Sequence, residues 1–232
     1  MQIVTLSDAE WSAIFLSLKV ALWAMVGSLP FGIVCALVLA RGQFRGKAIL
    51  HALVHLPLVL PPVVTGYVLL YSFGKKSAIG QFLYDYLNFS FSFRWTGAAL
   101  ACAVMGFPLM VRAISLSISA VDRKLEAAAS TLGASPIWVI LTITLPLALP
   151  GILAGMVLSF AKAMGEFGAT ITFVSNIPGE TQTLPTLIYT YTQVPEGDAS
   201  VWRLTLISVF ISMAALLVSE FLAARATGRL ST

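Results

Sequence analysis

The sequence predicts an all-α integral membrane protein that forms one transmembrane domain over residues 1–232. Charged residues make up only 10% of the chain and hydrophobic residues 58%, whereas a soluble domain carries about 25% charged residues. The mean hydropathy is +0.91. Because so few charges cannot cover a water-exposed surface of this size, the composition excludes the soluble globular classes.

Five apolar stretches are each long enough to cross a bilayer as a helix, which takes about 20 mainly apolar residues. A transmembrane barrel would instead need alternating segments of about ten residues, which the chain lacks. The acidic N-terminal segment has no basic start, and the first stretch exceeds the roughly 7–15-residue core of a signal peptide. We therefore expect the first stretch to be retained, and the predicted spans are about 13–40, 50–73, 95–117, 147–173 and 202–224.

The basic residues outside the spans or near their ends predict the orientation of the chain. If the loops alternate, eight lie on one side and four on the other: Arg41, Arg45, Lys47, Arg112, Arg123, Lys124, Arg225 and Arg229 against Lys75, Lys76, Arg94 and Arg203. Cytoplasmic loops are enriched in Lys and Arg, so we expect the N-terminus outside and the C-terminus in the cytoplasm. The basic residues are dispersed, so the net charge of +4 does not indicate a nucleic-acid partner.

The cytoplasmic loop over residues 118–146 carries the start and stop signals of a short helix. Asp122 is a suitable N-cap, and residues 123–132 follow as a helix. Gly133 stands where a helix ends in the left-handed conformation. Ser135-Pro136 then opens a second helix, with proline at its favoured first position.

One side of this predicted helix is apolar. Leu125, Ala128, Ala129 and Leu132 follow the i, i+3, i+4, i+7 spacing of a helical stripe, and Glu126 lies off it. The alanine side chains are small enough to let another surface approach closely. The stripe is either a docking surface for another protein or the underside of a helix that packs on its own bundle.

The loop resembles the EAA loop of ABC importer permeases, whose pattern is Glu-Ala-Ala, three residues, Gly, nine residues, Ile, any residue and Leu-Pro. In this chain Glu126-Ala127-Ala128 is followed by Gly133, Ile143 and Leu145-Pro146. The resemblance implies a fold like that of type I ABC importer permeases, with a cytoplasmic coupling helix that sits in a cleft of an ATPase subunit.

The resemblance also implies a role for each residue of the coupling helix. Ala127, Ala128 and Leu132 would contact the ATPase or support that contact. Gly133 would supply the turn, and Glu126 would orient the loop.

Three further segments, 55–70, 106–114 and 161–189, resemble the permeases of the oxyanion branch of that family, and of molybdate importers in particular. The implied function is import of molybdate across the inner membrane, with tungstate and sulfate or thiosulfate as alternatives. The implied partners are a second copy of the chain, cytoplasmic ABC ATPase subunits, a periplasmic molybdate-binding protein and membrane lipid.

The second span contains three prolines, Pro57, Pro61 and Pro62. Each proline removes a backbone donor and disturbs the carbonyl one turn earlier. Freed carbonyls in hydrocarbon must find partners, so such a helix faces protein or a water-filled cavity. The prolines indicate either a kinked helix at the translocation pathway or a kink needed only for packing.

Two charges, Lys162 and Glu166, stand four residues apart in the fourth span. Intramembrane charges are costly and usually face the protein interior and pair. One interpretation places Lys162 in the pathway, where it attracts the oxyanion and is held by Glu166. The other is a structural ion pair near the outer boundary.

Two glycines lie close to Glu166 in the fourth span, one on each side of it. Gly165 and Gly168 indicate close helix packing or a gating hinge.

His51 and His55 are four residues apart without a nearby carboxylate or cysteine, so we expect no metal site. Residues 174–200 form a predicted external loop, in which 184–193 is a candidate interfacial helix.

The motifs of catalysis are missing from the sequence. There is no HExxH, GxSxG or Walker A loop, so we expect no catalytic residue and no cofactor, and ATP hydrolysis on a separate subunit. A stand-alone secondary anion transporter is the more remote alternative; it would need coupling charges near the midplane or internal repeats.

Overall fold

A computed structural model describes residues 6–195 and 197–230, with the side chains of 219, 220 and 222–230 outside that description. The described part is built from helices and connecting turns. Arg225 and Arg229, used above for the orientation, therefore fall outside the described side chains. The helices are α1 (Asp8–Arg41), α2 (Lys47–Val59), α3 (Pro62–Phe73), α4 (Ala78–Leu87), α5 (Trp95–Ala120), α6 (Arg123–Thr131), α7 (Pro136–Val139), a π-helical turn (Ile140–Thr144), α8 (Leu145–Leu147), α9 (Leu149–Met164), α10 (Gly168–Val174), α11 (Leu184–Thr192) and α12 (Asp198–Leu230).

Helix α1 begins at a capping box and presents small residues to the core. Ser7 Oγ accepts a hydrogen bond from the Glu10 amide at 3.3 Å, and the Ser7 amide donates to Glu10 Oε2 at 2.7 Å. Small side chains allow two helix backbones to approach closely within a membrane. The buried face of α1 includes Ala13, Ser17, Ala21, Ala24, Ser28, Gly32 and Ala36.

Helices α1 and α5 run side by side in the same direction. Near one end, Lys19 Nζ lies 3.8 Å from the centre of the Trp95 ring. At the other end, Arg41 donates to the carbonyl oxygen of Val121 at 3.1 Å. Helix α9 returns antiparallel to α5, because Cys102, early in α5, lies against Ala163 near the end of α9. The central core is therefore formed where α1, α5 and α9 meet.

The five expected spans correspond to three unbroken helices and two interrupted helical segments. In the described residues, three helices are long and apolar enough to cross a membrane, and up to five spans are obtained if each bent pair counts as one. The first, third and fifth expected spans lie within α1, α5 and α12. The second and fourth require correction.

The expected second span, 50–73, is two helices that meet at 113°. The prolines explain the break, because the residue before a proline is disfavoured in the helical conformation. Leu60 and Pro61 are extended, and Pro62 is the first residue of α3. Pro57 stays inside α2. The sequence therefore predicts the place of the kink but not its size.

The expected fourth span, 147–173, is also interrupted. The segment Pro136–Leu147 meets α9 at 69°, and α9 ends at Met164 instead of continuing. Residues 165–167 then separate α9 from the short helix α10. The stretch is mainly apolar, with Lys162 and Glu166 as its charged residues, so its composition alone does not reveal these breaks.

The expected interfacial helix at 184–193 is present as α11, but it packs into the core. Leu184 and Thr186 are fully buried. The Leu184 amide, which has no partner within its own helix, donates to Ser17 Oγ of α1 at 2.7 Å. This part of the predicted external loop therefore belongs to the packed bundle.

Candidate functional site

The loop between α5 and α9 forms the short helix that its start and stop signals predict. Asp122 Oδ1 accepts from the Lys124 amide at 2.9 Å, and Ser135 Oγ accepts from the Trp138 amide at 3.4 Å. Gly133 has a φ of +90°, which an L-residue adopts only with strain. The helix ends at Thr131, one residue earlier than expected.

The apolar side of α6 is exposed at the surface of the chain. Leu132 is 88% exposed and Leu125 is 49% exposed. Ala127 and Ala128 are exposed as well, and α6 contains no buried residue. The interpretation in which this stripe packs against the bundle of the same chain is therefore wrong for the described structure.

Glu126 points to the other side of α6 and ties the helix to the bundle. Its Oε1 lies 2.8 Å from Arg41 Nη2 and accepts a hydrogen bond from Thr144 Oγ1 at 2.8 Å. Arg41 also donates to the Val121 carbonyl. One carboxylate oxygen thus joins α6 to the end of α1 and to the π-helical turn. We call these residues, Arg41, Glu126 and Thr144, the latch.

The latch includes two residues that sequence reasoning did not assign to the site. The sequence indicates Arg41 only as one of the basic residues that predict orientation, and it indicates no role for Thr144. Arg41 is 85 positions away from Glu126, and nothing local in the sequence links them. The available signal was weak: Glu126 is the single acidic residue within α6, and it needs a cationic partner if it faces the bundle.

Counting back from Gly133 corrects the expected register of the motif by one residue. Four residues, 129–132, separate Ala128 from Gly133, whereas the family pattern has three. Ala127 therefore occupies the position of the pattern's glutamate. Successive residues in a helix are about 100° apart, and accordingly Glu126 faces Arg41 while Ala127 is exposed.

The second charged pair, Lys162 and Glu166, is formed as predicted but lies at a helix break. Lys162 Nζ is 2.9 Å from Glu166 Oε2. Glu166 follows the end of α9, so the pair does not lie on one continuous helix as expected. Its Oε1 accepts from the Ala169 amide in the first turn of α10 at 3.0 Å. The Glu166 side chain is 1% exposed and that of Lys162 29%.

The two glycines beside Glu166 occupy different environments. A Cβ at Gly168 would lie 2.8 Å from Pro62 Cβ, so close packing of α10 on α3 requires glycine there. A Cβ at Gly165 would meet no atom within 4 Å. The packing role expected of both glycines is therefore wrong at Gly165 and correct at Gly168.

The candidate pathway residues fall into two groups. Pro62, Gly168, Glu166 and Lys162 are linked through the α3–α10 contact and the ion pair. Pro57 lies apart from them, on the wall of an apolar cavity of about 710 Å³ between α1, α2 and α5. No group of three or more His, Cys, Asp or Glu side chains suited to a metal occurs in the part of the chain that the structure describes.

Comparison with protein families identifies the chain. The model of the family described as "Binding-protein-dependent transport system inner membrane component" matches residues 28–228. The chain belongs to this family. It is thus a multi-pass permease of the inner membrane, and its exposed helix α6 lies within the matched region.

Two curated relatives are similar over nearly their whole length. The chain is 58% identical over 218 residues to the molybdenum transport system permease protein ModB of Escherichia coli (strain K12), covering 94% of this chain and 95% of that protein. It is 55% identical over 216 residues to ModB of Haemophilus influenzae, covering 93% and 94%. A probable sulfate transport system permease protein, cysT, of Helicosporidium is 34% identical over 185 residues and covers 74% and 68%.

Solved structures confirm the fold at low sequence identity. A bacterial importer of the acidic polysaccharide alginate aligns with a TM-score of 0.73 at 16% identity, covering 95% of this chain and 80% of that chain. The MetNI methionine transporter, in inward-facing conformations, aligns with a TM-score of 0.66 at 14% identity, covering 94% of each. The chain therefore has the fold of type I ABC importer permeases.

Proposed function

We propose that this chain is the membrane-spanning permease subunit of an ATP-driven importer of molybdate. The observation that carries the proposal is the 58% identity, over nearly the full length of both chains, to a permease named for molybdenum transport. Identity to the sulfate permease is 34% and covers less of each chain. Molybdate is accordingly the favoured anion, and sulfate, thiosulfate and tungstate are its competitors.

The energy for transport enters through α6. Amphipathic helices commonly bind a partner by placing their apolar face in a groove of that partner. The exposed apolar stripe of α6 is suited to this mode of binding. In this proposal Ala127, Ala128 and Leu132 contact the ATPase subunit, and Gly133 provides the turn that holds α6 away from the bundle. This chain itself hydrolyses no ATP.

Movement of α6 reaches the membrane through the latch. Glu126 joins α6 to α1 and to the π-helical turn, which continues towards α9. When the two ATPase subunits close, each α6 moves with its docking cleft and shifts the attached helix ends. Swinging a gate from 1:99 to 99:1 takes about 5.5 kcal/mol of differential binding, a demand that ATP binding between two subunits can meet.

The anion crosses between two copies of the chain, because five spans alone make a poor pore. The basic end of the molecule, with Arg41, Arg123 and Lys124, faces the cytoplasm. The N-terminus and α11 then face the periplasm, where a molybdate-binding protein delivers its cargo. The surrounding bilayer covers the remaining apolar surface.

Lys162 stands at the edge of the pathway in this proposal. Both carboxylate oxygens of Glu166 have partners, so Glu166 is neutralised and does not repel an anion. The ammonium group of Lys162 has three donors, and its side chain is partly exposed. The remaining donors are suited to an oxyanion that passes the outer half of the membrane. The bend at Pro61 and Pro62 lies close by, through the Pro62–Gly168 contact.

The test is uptake of labelled molybdate into vesicles that contain the permease, its ATPase and its binding protein. We expect uptake to require ATP and the ATPase, and unlabelled molybdate and tungstate to compete better than sulfate. Stronger competition by sulfate would reassign the anion. Uptake driven by an ion gradient without the ATPase would instead support a stand-alone secondary transporter and overturn the proposal.

A further inference from the structure

A basic pocket lies at the end of the bundle where α1 and α5 finish and α2 begins. Its volume is about 360 Å³, and its polar lining consists of His51, His55, Arg112 and Ser115. Leu39, which is 6% exposed, and Val111, which is fully buried, form apolar walls. We call this space the histidine pocket. It is separate from the latch, whose residues line a different cavity of about 330 Å³.

The two histidines stack on each other at the pocket. Their rings stack with centres 4.2 Å apart and planes at 16°. His55 Nδ1 lies 2.9 Å from the His51 carbonyl oxygen. A carbonyl only accepts hydrogen bonds, so Nδ1 carries the proton and Nε2 is left for another partner. In the protonated ring Nε2 is also a donor.

The histidine pocket contains no negative charge to balance its basic groups. No Asp or Glu lines it. Among the described side chains, the ion pairs are Arg41–Glu126, Lys162–Glu166 and Arg203–Glu10, so Arg112 takes part in none of them. A cleft lined by one sign of charge with apolar walls concentrates ions of the opposite sign. In the described ion pairs the cation is balanced within the chain, whereas the guanidinium of Arg112 remains for an external anion.

We propose that the histidine pocket binds a tetrahedral oxyanion. Arg112 supplies the permanent charge and the paired donors suited to two oxygens of one anion. The Ser115 hydroxyl supplies a further donor, and the Nε2 atom of His55 supplies another when its ring is protonated. The anion is either a free oxyanion from solution or the headgroup phosphate of an anionic lipid, whose charge, unlike that of phosphatidylcholine, is not balanced within the headgroup. That a free oxyanion would be the imported one, on the cytoplasmic side, rests on the proposed function.

Binding of a free anion is tested on the full-length permease in nanodiscs of phosphatidylcholine, with labelled molybdate and inorganic phosphate as probes. We expect saturable binding that weakens at least tenfold in Arg112→Gln and in the double variant His51→Gln/His55→Gln. Arg112→Lys keeps the charge but loses the paired donors, so it should bind more weakly than the wild-type protein and more tightly than Arg112→Gln. Arg45→Gln is the matched control, since it removes a basic residue at the same end outside the pocket.

The lipid source is tested in nanodiscs that also contain phosphatidylglycerol. If a headgroup occupies the pocket, we expect the wild-type protein to retain phosphatidylglycerol through delipidation and Arg112→Gln to lose it, with Arg45→Gln unchanged. In that case the lipid also blocks binding of labelled molybdate.

The proposal is overturned if the wild-type protein binds neither anion and retains no phosphatidylglycerol. It is equally overturned if Arg45→Gln weakens binding as much as Arg112→Gln, because Arg112 is then only a basic residue that reaches towards the membrane surface. Both results would leave ATP-driven uptake of molybdate intact. Failure of that uptake in the reconstituted complex would instead count against the proposed function.

Discussion

Two glutamates at opposite ends of the molecule are held in contrasting ways. Glu126 is paired with a residue 85 positions away, and both side chains are 21% exposed. Glu166 is paired with a residue only four positions away, and its side chain is 1% exposed. An ion pair that water still reaches contributes roughly 0–1 kcal/mol, whereas separating a buried charge from its partner costs about 3–5 kcal/mol.

The difference in exposure of the two glutamates indicates that the Lys162–Glu166 pair is a fixed contact and that the Arg41–Glu126 pair can separate. Glu166 bonds Lys162 and the Ala169 amide, so it holds α9 and α10 together through a carboxylate that is itself buried from water, although Lys162 is partly exposed. The latch is accessible to water, which can solvate Glu126 and Arg41 when they part. A coupling helix that must move needs an attachment of the second kind.

The largest effect on stability is expected for Glu166→Ala. This change leaves Lys162 and the Ala169 amide without their partner, and we expect a loss of about 3–5 kcal/mol in the free energy of unfolding. Thermal unfolding of the purified protein in detergent measures it. Asp85→Ala removes an exposed carboxylate and serves as the control. Equal unfolding midpoints for the two variants would show that the Glu166 pair is not a structural joint.

A smaller cost in stability and a larger loss of function are expected for Gly133→Val. Holding valine at a φ of +90° costs about 1–3 kcal/mol. The altered turn misplaces α6, so we expect molybdate uptake to fall at least tenfold while the ATPase subunits continue to hydrolyse ATP. Uptake and hydrolysis are measured together in reconstituted vesicles.

Gly46→Val is the matched control for that experiment. Gly46 has a φ of +100°, and a Cβ added there, like one added at Gly133, would meet no atom within 4 Å. The two variants therefore carry a similar backbone strain at the same end of the molecule. If both lose uptake equally, the effect of Gly133→Val comes from strain and not from the position of α6.

The latch is expected to matter little for stability and more for coupling. Arg41→Glu places two carboxylates together, and we expect a change below about 1 kcal/mol in the free energy of unfolding with a several-fold loss of uptake. The double variant Arg41→Glu/Glu126→Arg restores opposite charges and should recover most of the uptake. A double-mutant cycle without coupling between the two positions would remove the latch from the mechanism.

The smallest effect on stability is expected for Leu132→Asp. Leu132 is 88% exposed, so its replacement should leave the unfolding temperature unchanged. The same change places a charge on the proposed docking stripe and should weaken association with the ATPase at least tenfold, measured by co-purification. Lys124→Asp changes an exposed residue of α6 outside the stripe and provides the comparison. Unchanged association would place the docking surface elsewhere.

The features that sequence reasoning found are those with local causes. Asp122, Gly133 and Ser135 define α6 because caps and left-handed turns depend on a few neighbouring residues. Lys162 and Glu166 were paired correctly because they are close in sequence. The family was recognised from the residues that surround α6 and the 161–189 segment.

The features that sequence reasoning missed depend on the tertiary structure. The Arg41–Glu126 contact exists only because α1 and α5 run in parallel and bring their ends together. The 113° bend between α2 and α3 brings Pro62 against Gly168 of α10, a contact between residues far apart in the sequence. The break after Met164 has only weak local signals, since Gly165 and Gly168 are as common in packed membrane helices as at breaks.

Cross-linking from Ala127 tests most directly whether α6 receives the work of the ATPase. Ala127→Cys is made in a chain whose Cys35 and Cys102 are replaced by alanine, and Tyr86→Cys in α4, 76% exposed, is the control. We predict that a short cross-linker joins Cys at position 127, and not at position 86, to the ATPase subunit, with a yield that changes when ATP is bound. A complex that imports molybdate at the normal rate without any such cross-link would contradict the account.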